Sequence, residues 1–410
     1  MVTSKDSREL EVVVWGATGF TGQLVAEHLL QSYGVGAQLR WAIAGRSLRK
    51  LEQLREALGP QASDLPLITA DSHDRASLDA MVGRTAVIAS TVGPYASHGS
   101  KLVAACAENG TDYCDITGEV QWVRRMIDAH EETAQRTGAR LVHFCGFDSI
   151  PSDLGCLFTQ QEMQRQHGET CEEVRLGVKR MNGGLSGGTY ASMLNALEEA
   201  QTDGDVRRLA QNPYGLNPLG AERGPDGPDQ NGVRWDPALR SWTAPFMMAA
   251  INTRVVRRSN ALLDFQYGHG FRYDEAMMTG RGASGLARAV ATTAGLGGFM
   301  AAVSTGPTRT LLKRLFLPQP GEGPSAEARA RGHFDIIFVG RSDQHQVKTR
   351  VRADRDPGYG ATSRMLGEAA VCLAKDPLQT PGGSWTPASS MGAQLVSRLE
   401  ARAGMRFEAV

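Results

Sequence analysis

Seven residues, Gly16-Ala17-Thr18-Gly19-Phe20-Thr21-Gly22, constrain this chain more than any others. They follow Leu10 to Trp15, a Val-rich run that reads as a buried parallel strand, and precede the apolar-periodic helix Leu24 to Leu30. Three glycines at this spacing, between a strand and a helix, suit a dinucleotide loop, each for its own reason. Gly16 permits the tight turn, Gly19 lets backbone approach a pyrophosphate, and Gly22 lets the helix lie close to the strand. The helix N-terminus offers free N–H groups and partial positive charge to phosphates. Glycine loops also make ordinary turns, so the flanking strand and helix are what give the triplet its meaning. Thr18, Phe20 and Thr21 join the three glycines as candidate cofactor contacts.

A second strand, Leu39 to Ala44, ends in Gly45-Arg46-Ser47. Enzymes that take NAD usually carry an acidic residue there for the ribose 2′-hydroxyl. Arg46, with Ser47 beside it and Arg49 and Lys50 a turn on, suits a 2′-phosphate instead. The expected cofactor is therefore NADP(H); the competing reading makes Arg46 a solvated loop residue. Leu65 to Ala70 is a third strand, ending at Asp71 beside the adenine position. Ala86 to Ser90 is a fourth, ending in Thr91-Val92-Gly93-Pro94-Tyr95, whose Gly-Pro turn brings backbone close to the crevice. Helix Ser100 to Asn109, strand Tyr113 to Asp115, helix Val120 to Thr137 and strand Arg140 to Phe144 follow. This alternation means an α/β fold with a doubly wound parallel sheet over residues 1–152.

The full 410 residues exceed one ordinary core and require a further domain. Lys plus Arg and Asp plus Glu balance at 44 each, so no general field attracts a polyanion, and nucleic acid is not an expected partner. The six cysteines show no CxxC and no metal-ligand spacing. Reduced, buried thiols and no metal site are the expectation. The polar start, with no basic segment before an apolar core, reads as no signal peptide and a cytoplasmic location.

Taken in order, Gly16 to Gly22, Ala44-Gly45-Arg46-Ser47, Thr91 to Tyr95, Asp112 to Glu119 and Cys145 to Gly155 resemble the saccharopine dehydrogenase-like oxidoreductases. Gly187 to Ser192, Gly321 to Ser325, Asp356 to Ser363 and Gly382 to Pro387 look closer to one branch, the trans-acting enoyl reductases of polyketide-derived lipid assembly. The resemblance implies a Rossmann domain and a second α/β domain, residues 153–375, whose mixed or antiparallel sheet covers the cofactor cleft. A segment 376–410 then returns to the first domain, with helix Ala388 to Ala403 packing back. It carries over the glycine loop and Arg46 as cofactor contacts and Val92 to Tyr95 as the stretch nearest the nicotinamide. It fixes no catalytic acid, and a homodimer stays open.

In the second half, Val174 to Lys179 and Leu262 to Gln266 read as strands, and Phe334 to Val339 with Gln346 to Val351 as an antiparallel hairpin. Asn212 to Gly232 reads as a long loop, a substrate lid or a passive insertion. Gly183 to Gly188 leads into a helix near Thr189, a second anion site or merely a capped helix. Ala289 to Val303 carries no charge and is too short to span a bilayer comfortably. It reads as a buried core helix or, with the apolar residues up to Leu317, as a membrane-surface contact or acyl-chain wall.

No tyrosine has Lys four residues on, and neither G-x-S-x-G nor H-E-x-x-H occurs. What remains is hydride transfer between a nicotinamide and a substrate that the protein positions. Reduction of an enoyl thioester needs a donor for the developing enolate and a proton for the α-carbon. Tyr95 is the first candidate, Tyr190 the second, and Asp148 a third that better suits capping or bracing the turn before Pro151; His98 is weaker, a surface-loop histidine by preference. Three functions fit: an NADPH-dependent reductase of a lipid- or polyketide-bound acyl group, a saccharopine-reductase-like enzyme on an amino-acid imine, and a non-catalytic NADP sensor or scaffold. The imine reading needs cations for substrate carboxylates, with Arg254, Arg257 and Arg258 available. An apolar channel beside the nicotinamide position favours the first, and converging arginines the second.

Overall fold

Val12, Val13 and Val14 are all fully buried, although successive side chains of a strand point to opposite faces. A strand inside a sheet covered on both sides meets that condition. β1 (Leu10–Trp15) holds this place in the computed structural model, which describes residues 5–183, 187–221, 223–304 and 323–410. β2 (Trp41–Gly45) and β3 (Leu67–Thr69) lie to one side of it. β4 (Thr85–Ser90), β5 (Asp112–Asp115) and β6 (Arg140–Val142) lie to the other, and every pairing is parallel. The order β3-β2-β1-β4-β5-β6 is doubly wound and reverses between β1 and β4. A crevice opens at that point, with the glycine loop on one lip and Thr91 to Tyr95 on the other.

The second sheet is mixed. It contains β7 (Glu173–Asn182), β8 (Arg234–Asp236), β9 (Ser241–Pro245), β10 (Arg272–Gly280), β11 (His333–Arg341) and β12 (Gln346–Ala353). β7 and β10 run parallel, and β11 and β12 form the expected antiparallel hairpin. Helix Ile150–His167 links the sheets and touches the second so closely that a Cβ on Gly155 would lie 2.3 Å from the Phe338 ring. All six cysteines are buried and unpaired.

Two expectations need correcting. Leu262 to Gln266 is not a strand: it is the end of helix Ala249–Leu262 and a turn in which Asp264 and Phe265 take positive φ. A short apolar run fits a buried helix end as well as a strand, and here the helix supplies the hydrogen bonds. The single helix expected over 388–403 is broken into Pro387–Ser390, Gly392–Arg398 and a wider turn, Leu399–Ala403, with Gly392 at φ +46°.

After β12 the chain returns to the first sheet. Helix Thr362–Lys375 packs along helix Phe20–Tyr33, and β13 (Gly383–Trp385) extends the parallel sheet beside β6. β14 (Met405–Ala409) then goes back to the second sheet beside β12. Glu368 anchors the return, fully buried, accepting the Tyr33 hydroxyl at 2.6 Å and facing His28 Nε2 at 2.8 Å. Replacing it with Ala removes the acceptor of the Tyr33 hydroxyl and the partner of His28 Nε2 in a buried setting. Glu368→Ala is expected to lower unfolding free energy by roughly 3 kcal/mol, read as a shift of the urea midpoint at unchanged slope.

Candidate active site

Gly16 turns the chain at φ +84°, and a Cβ there would lie 2.5 Å from Val92 Cγ2 and 2.8 Å from Thr91 Oγ1. A Cβ on Gly22 would lie 2.2 Å from the Gly16 carbonyl oxygen, so the helix sits against the loop as only glycine permits. Helix Phe20–Tyr33 starts at Gly19 with no side-chain cap and no acidic residue in its first turn. Its leading N–H groups therefore face the crevice with the helix dipole behind them. Thr91 donates to the carbonyls of Trp15 (3.1 Å) and Gly16 (3.2 Å) and ties the lips together. Val92, Gly93 and Pro94 retain solvent exposure beside it.

Arg46 stands exposed at the end of β2, with no hydrogen bond or ion pair among the described residues. Ser47 caps the following helix, accepting the Lys50 N–H at 3.4 Å. Asp71 has one oxygen taken by the His73 N–H at 2.8 Å. An uncapped helix start, a glycine cradle that side chains would fill, and a free guanidinium at the ribose end fit NADP(H).

Next to this crevice, at the C-terminal ends of β5 and β6, lies a cavity of about 240 Å³. Ile116 and Phe147 line it from the first sheet, and Met181, Met277, Phe246 and Met248 from the second. Thr292 and Leu296 reach it from helix Gly282–Ser304. Among the described residues Asp148 is the single ionisable one on its wall, and no described lysine or arginine lines it. Gly146 fixes the approach to Asp148: a Cβ there would come within 3.2 Å of both Ile116 and Thr362. The Phe147 N–H donates to Thr362 Oγ1 at 3.0 Å. Asp148 itself makes no hydrogen bond or ion pair among the described residues, and burial alone pushes its carboxyl up to about 7.

Residues 12–142 match the saccharopine dehydrogenase NADP-binding domain. Over 407 residues, 96% of each chain, the protein is 44% identical to a Mycobacterium tuberculosis protein assigned as a trans-acting enoyl reductase. The chain belongs to the trans-acting enoyl reductase family. The Mycobacterium leprae trans-acting enoyl reductase is 38% identical over 413 residues, 97% of each chain. A solved amine dehydrogenase from Mycobacterium smegmatis aligns over 94% of this chain and 97% of its own, with 14% identity and a TM-score of 0.44. The protein is thus an NADP-dependent oxidoreductase.

The other candidates of the reductase fall in different places. The Tyr95 hydroxyl is buried, donates to the Ser90 carbonyl at 3.0 Å and accepts the Ile116 N–H at 3.3 Å. Its ring leans on Trp122, and burial holds the phenol well above its ordinary value. Tyr190 belongs to helix Gly187–Thr202, but its side chain lies outside the described residues, as do residues 184–186 of the second anion loop. His98 stacks edge-on to His73 at 5.4 Å, and burial lowers its pKa. Asp148 does not cap or brace the turn before Pro151, having no partner there. Phe20 gives its ring to Tyr359, edge-on at 4.8 Å, so its side chain packs against protein. Glu119, absent from the sequence candidates, accepts the N–H groups of Tyr95 (2.8 Å) and Ala96 (2.9 Å) and the Ser192 hydroxyl (2.7 Å). It thereby fixes the Pro94–Tyr95 lip; no local pattern marks it, because its partners are distant in sequence.

The three arginines offered for an amino-acid substrate serve the fold. Arg254 pairs with Asp229, Arg257 with Asp226, and Arg258 donates to the carbonyls of Leu216 and Ser384. They fasten the irregular stretch 212–232, which does not line the cavity. The uncharged helix also departs from the core reading. Gly282–Val303 is long and apolar enough to cross a membrane, yet most of it is exposed, with Val290 at 51% and Leu286 at 37%. It rests on β9 and β10 by a narrow edge, and Leu311 to Leu317 lie outside the described residues. For the ribose end, Arg46→Asp is expected to raise the Kd for NADPH roughly 10- to 100-fold, by direct titration, and to leave NADH binding within about twofold. Equal loss for both dinucleotides removes Arg46 from 2′-phosphate recognition.

Proposed function

We propose that the protein reduces the carbon–carbon double bond of an enoyl thioester whose acyl chain, of lipid or polyketide origin, lies in the methionine-lined cavity. The observation carrying this reading is a cavity wall made, among the described residues, mostly of apolar side chains with Asp148 as its one ionisable group. A long acyl chain suits that wall, and unbranched methionines adapt to chains of varied shape. An amino-acid substrate would bring a charged carboxylate to a wall with no cation among the described residues, at a heavy desolvation cost. The names of the relatives support the same reaction on a substrate presented in trans.

Gly16, Thr18, Gly19, Thr21 and Gly22 hold the dinucleotide phosphates in this reading, Arg46 and Ser47 the 2′-phosphate, Asp71 the adenine side and Thr91 to Pro94 the nicotinamide side. Phe20 contributes through its backbone N–H. The bound cofactor supplies the hydride. The chain's own part is the proton: Asp148, protonated in its apolar setting, delivers it to the α-carbon and is recharged from solvent. Tyr95 keeps its hydroxyl on Ser90 and positions the lip. Tyr190 remains the second candidate donor.

NADPH oxidation should be followed with a series of 2-enoyl thioesters. Each methylene that enters the cavity is expected to raise kcat/KM about three- to fourfold until the cavity is full. Turnover of 2-oxo acids with ammonia, and none of enoyl thioesters, overturns the reading. For the proton, kcat should hold at low pH and fall tenfold per pH unit above about 7, as the acid form of Asp148 is lost. Asp148→Asn should lower kcat by roughly 10²- to 10⁴-fold and abolish that limb, with the NADPH Kd unchanged. An unaltered pH profile in this variant excludes Asp148 as donor.

A further inference from the structure

We infer that Arg329, far from the glycine loop in sequence, is a ligand of the dinucleotide's pyrophosphate. Phe20 is the first residue of the helix whose N–H groups face the crevice. The Arg329 guanidinium lies over the Phe20 ring, 5.2 Å from its centroid. The segment leading to Arg329 is shaped to the same ring, since a Cβ on Gly323 would lie 2.4 Å from it. The opening helix of the cofactor site is therefore touched by a strap from the second half of the chain, and that strap ends in a cation.

The cation has no ion-pair partner within salt-bridge distance among the described residues. Arg329 donates one N–H to the Pro324 carbonyl at 2.7 Å and forms no ion pair among the described residues. A guanidinium has five N–H donors, so most of its capacity is unspent. Asp356 feels the charge of Arg329, but its oxygens accept the N–H groups of Gly358, Tyr359 and Gly360. Arg355 adds a second charge at the same turn: a Cβ on Gly360 would lie 3.7 Å from Arg355 Cβ and 3.9 Å from Arg329 Cβ. Arg355 likewise forms no ion pair among the described residues. Two cations against the one carboxylate of Asp356, which is committed to backbone N–H groups, leave a net positive field for a phosphate beside a helix start lacking acidic residues. The loop geometry brings the pyrophosphate to that helix start. The cation–π contact holds the guanidinium there beforehand, limiting the entropy lost on binding. The inference rests on NADP(H) binding and is independent of the acyl substrate.

A phosphate on the arm of a thioester carrier has the same chemistry, so the experiment separates the two sources. Dissociation constants of NADPH, NADH and 2′-AMP, which lacks the pyrophosphate, are measured for Arg329→Ala and Arg329→Lys by calorimetry. KM is measured for one acyl group as its coenzyme A thioester and as its N-acetylcysteamine thioester. Arg329 is part-exposed, so its truncation does not open the core. The expected result is a common loss of about tenfold or more for NADPH and NADH in Arg329→Ala, partial recovery in Arg329→Lys, and 2′-AMP binding within about twofold. That pattern differs from Arg46→Asp, where NADPH alone suffers. The inference fails if NADPH binding is unchanged. It fails also if 2′-AMP weakens equally, which marks a distorted loop. A rise in KM for the coenzyme A thioester alone, with NADPH binding intact, assigns the phosphate to the carrier and overturns it too.

Discussion

The Asp356 carboxylate accepts three successive backbone N–H groups, and the turn it closes is where the halves of the molecule meet. Pro357 and Gly358 face the cavity, Tyr359 packs on Phe20, and Thr362 holds the backbone beside Asp148. The dinucleotide loop and the cavity wall are thus referred to one rigid element. A turn fixed by charge-assisted bonds resists deformation better than one held by packing alone. Alignment of cofactor and substrate to a few tenths of an ångström, which hydride transfer requires, depends on such an element. Helix Thr362–Lys375 continues it and is pinned to helix Phe20–Tyr33 through Glu368.

The cavity and the crevice use opposite electrostatics. The crevice offers dipoles and cations to phosphates and stays open to water. The cavity is walled largely by methionine, phenylalanine and isoleucine, and burial among them raises the charged form of Asp148 in free energy. With a pKa of about 7 this carboxyl holds its proton in a substantial fraction of molecules near neutrality, and it makes no hydrogen bond among the described residues. That isolation separates Asp148 from Asp153. Burial likewise raises Asp153 to about 7, but its oxygens accept Ser259 and the Ala388 N–H at 2.8 Å and brace the fold.

The first sheet was legible because its signals are local. A continuous apolar run, a glycine loop and a helix follow one another within about 25 residues, and β-strand order follows from the doubly wound rule. Arg46 was legible for the same reason. In the second sheet the legible parts are the hairpin, whose partners are adjacent, and the strand Val174 to Lys179, which lies within β7. Met181, Met248 and Met277 meet around the cavity from β7, the end of β9 and β10, and no periodicity announces that convergence. The sequence position of Phe20 marks a loop contact but says nothing of its ring, which packs against Tyr359 and Arg329 from more than 300 residues away. The uncharged helix misled through composition, because absence of charge allows burial without requiring it.

The fate of Arg254, Arg257 and Arg258 bears most directly on substrate class. All three are buried, and each holds at least one backbone carbonyl in the region Ala210 to Leu216. Turning any of them toward the cavity would break a buried pair or strand a carbonyl, at about 3–5 kcal/mol for the pair alone. A substrate carboxylate gained in return is a charge-assisted contact of about 1.5–3 kcal/mol. Two such exchanges, as an amino-acid imine with two carboxylates would demand, leave a net deficit. The same arginines fasten the irregular stretch 212–232, none of whose described residues lines the cavity.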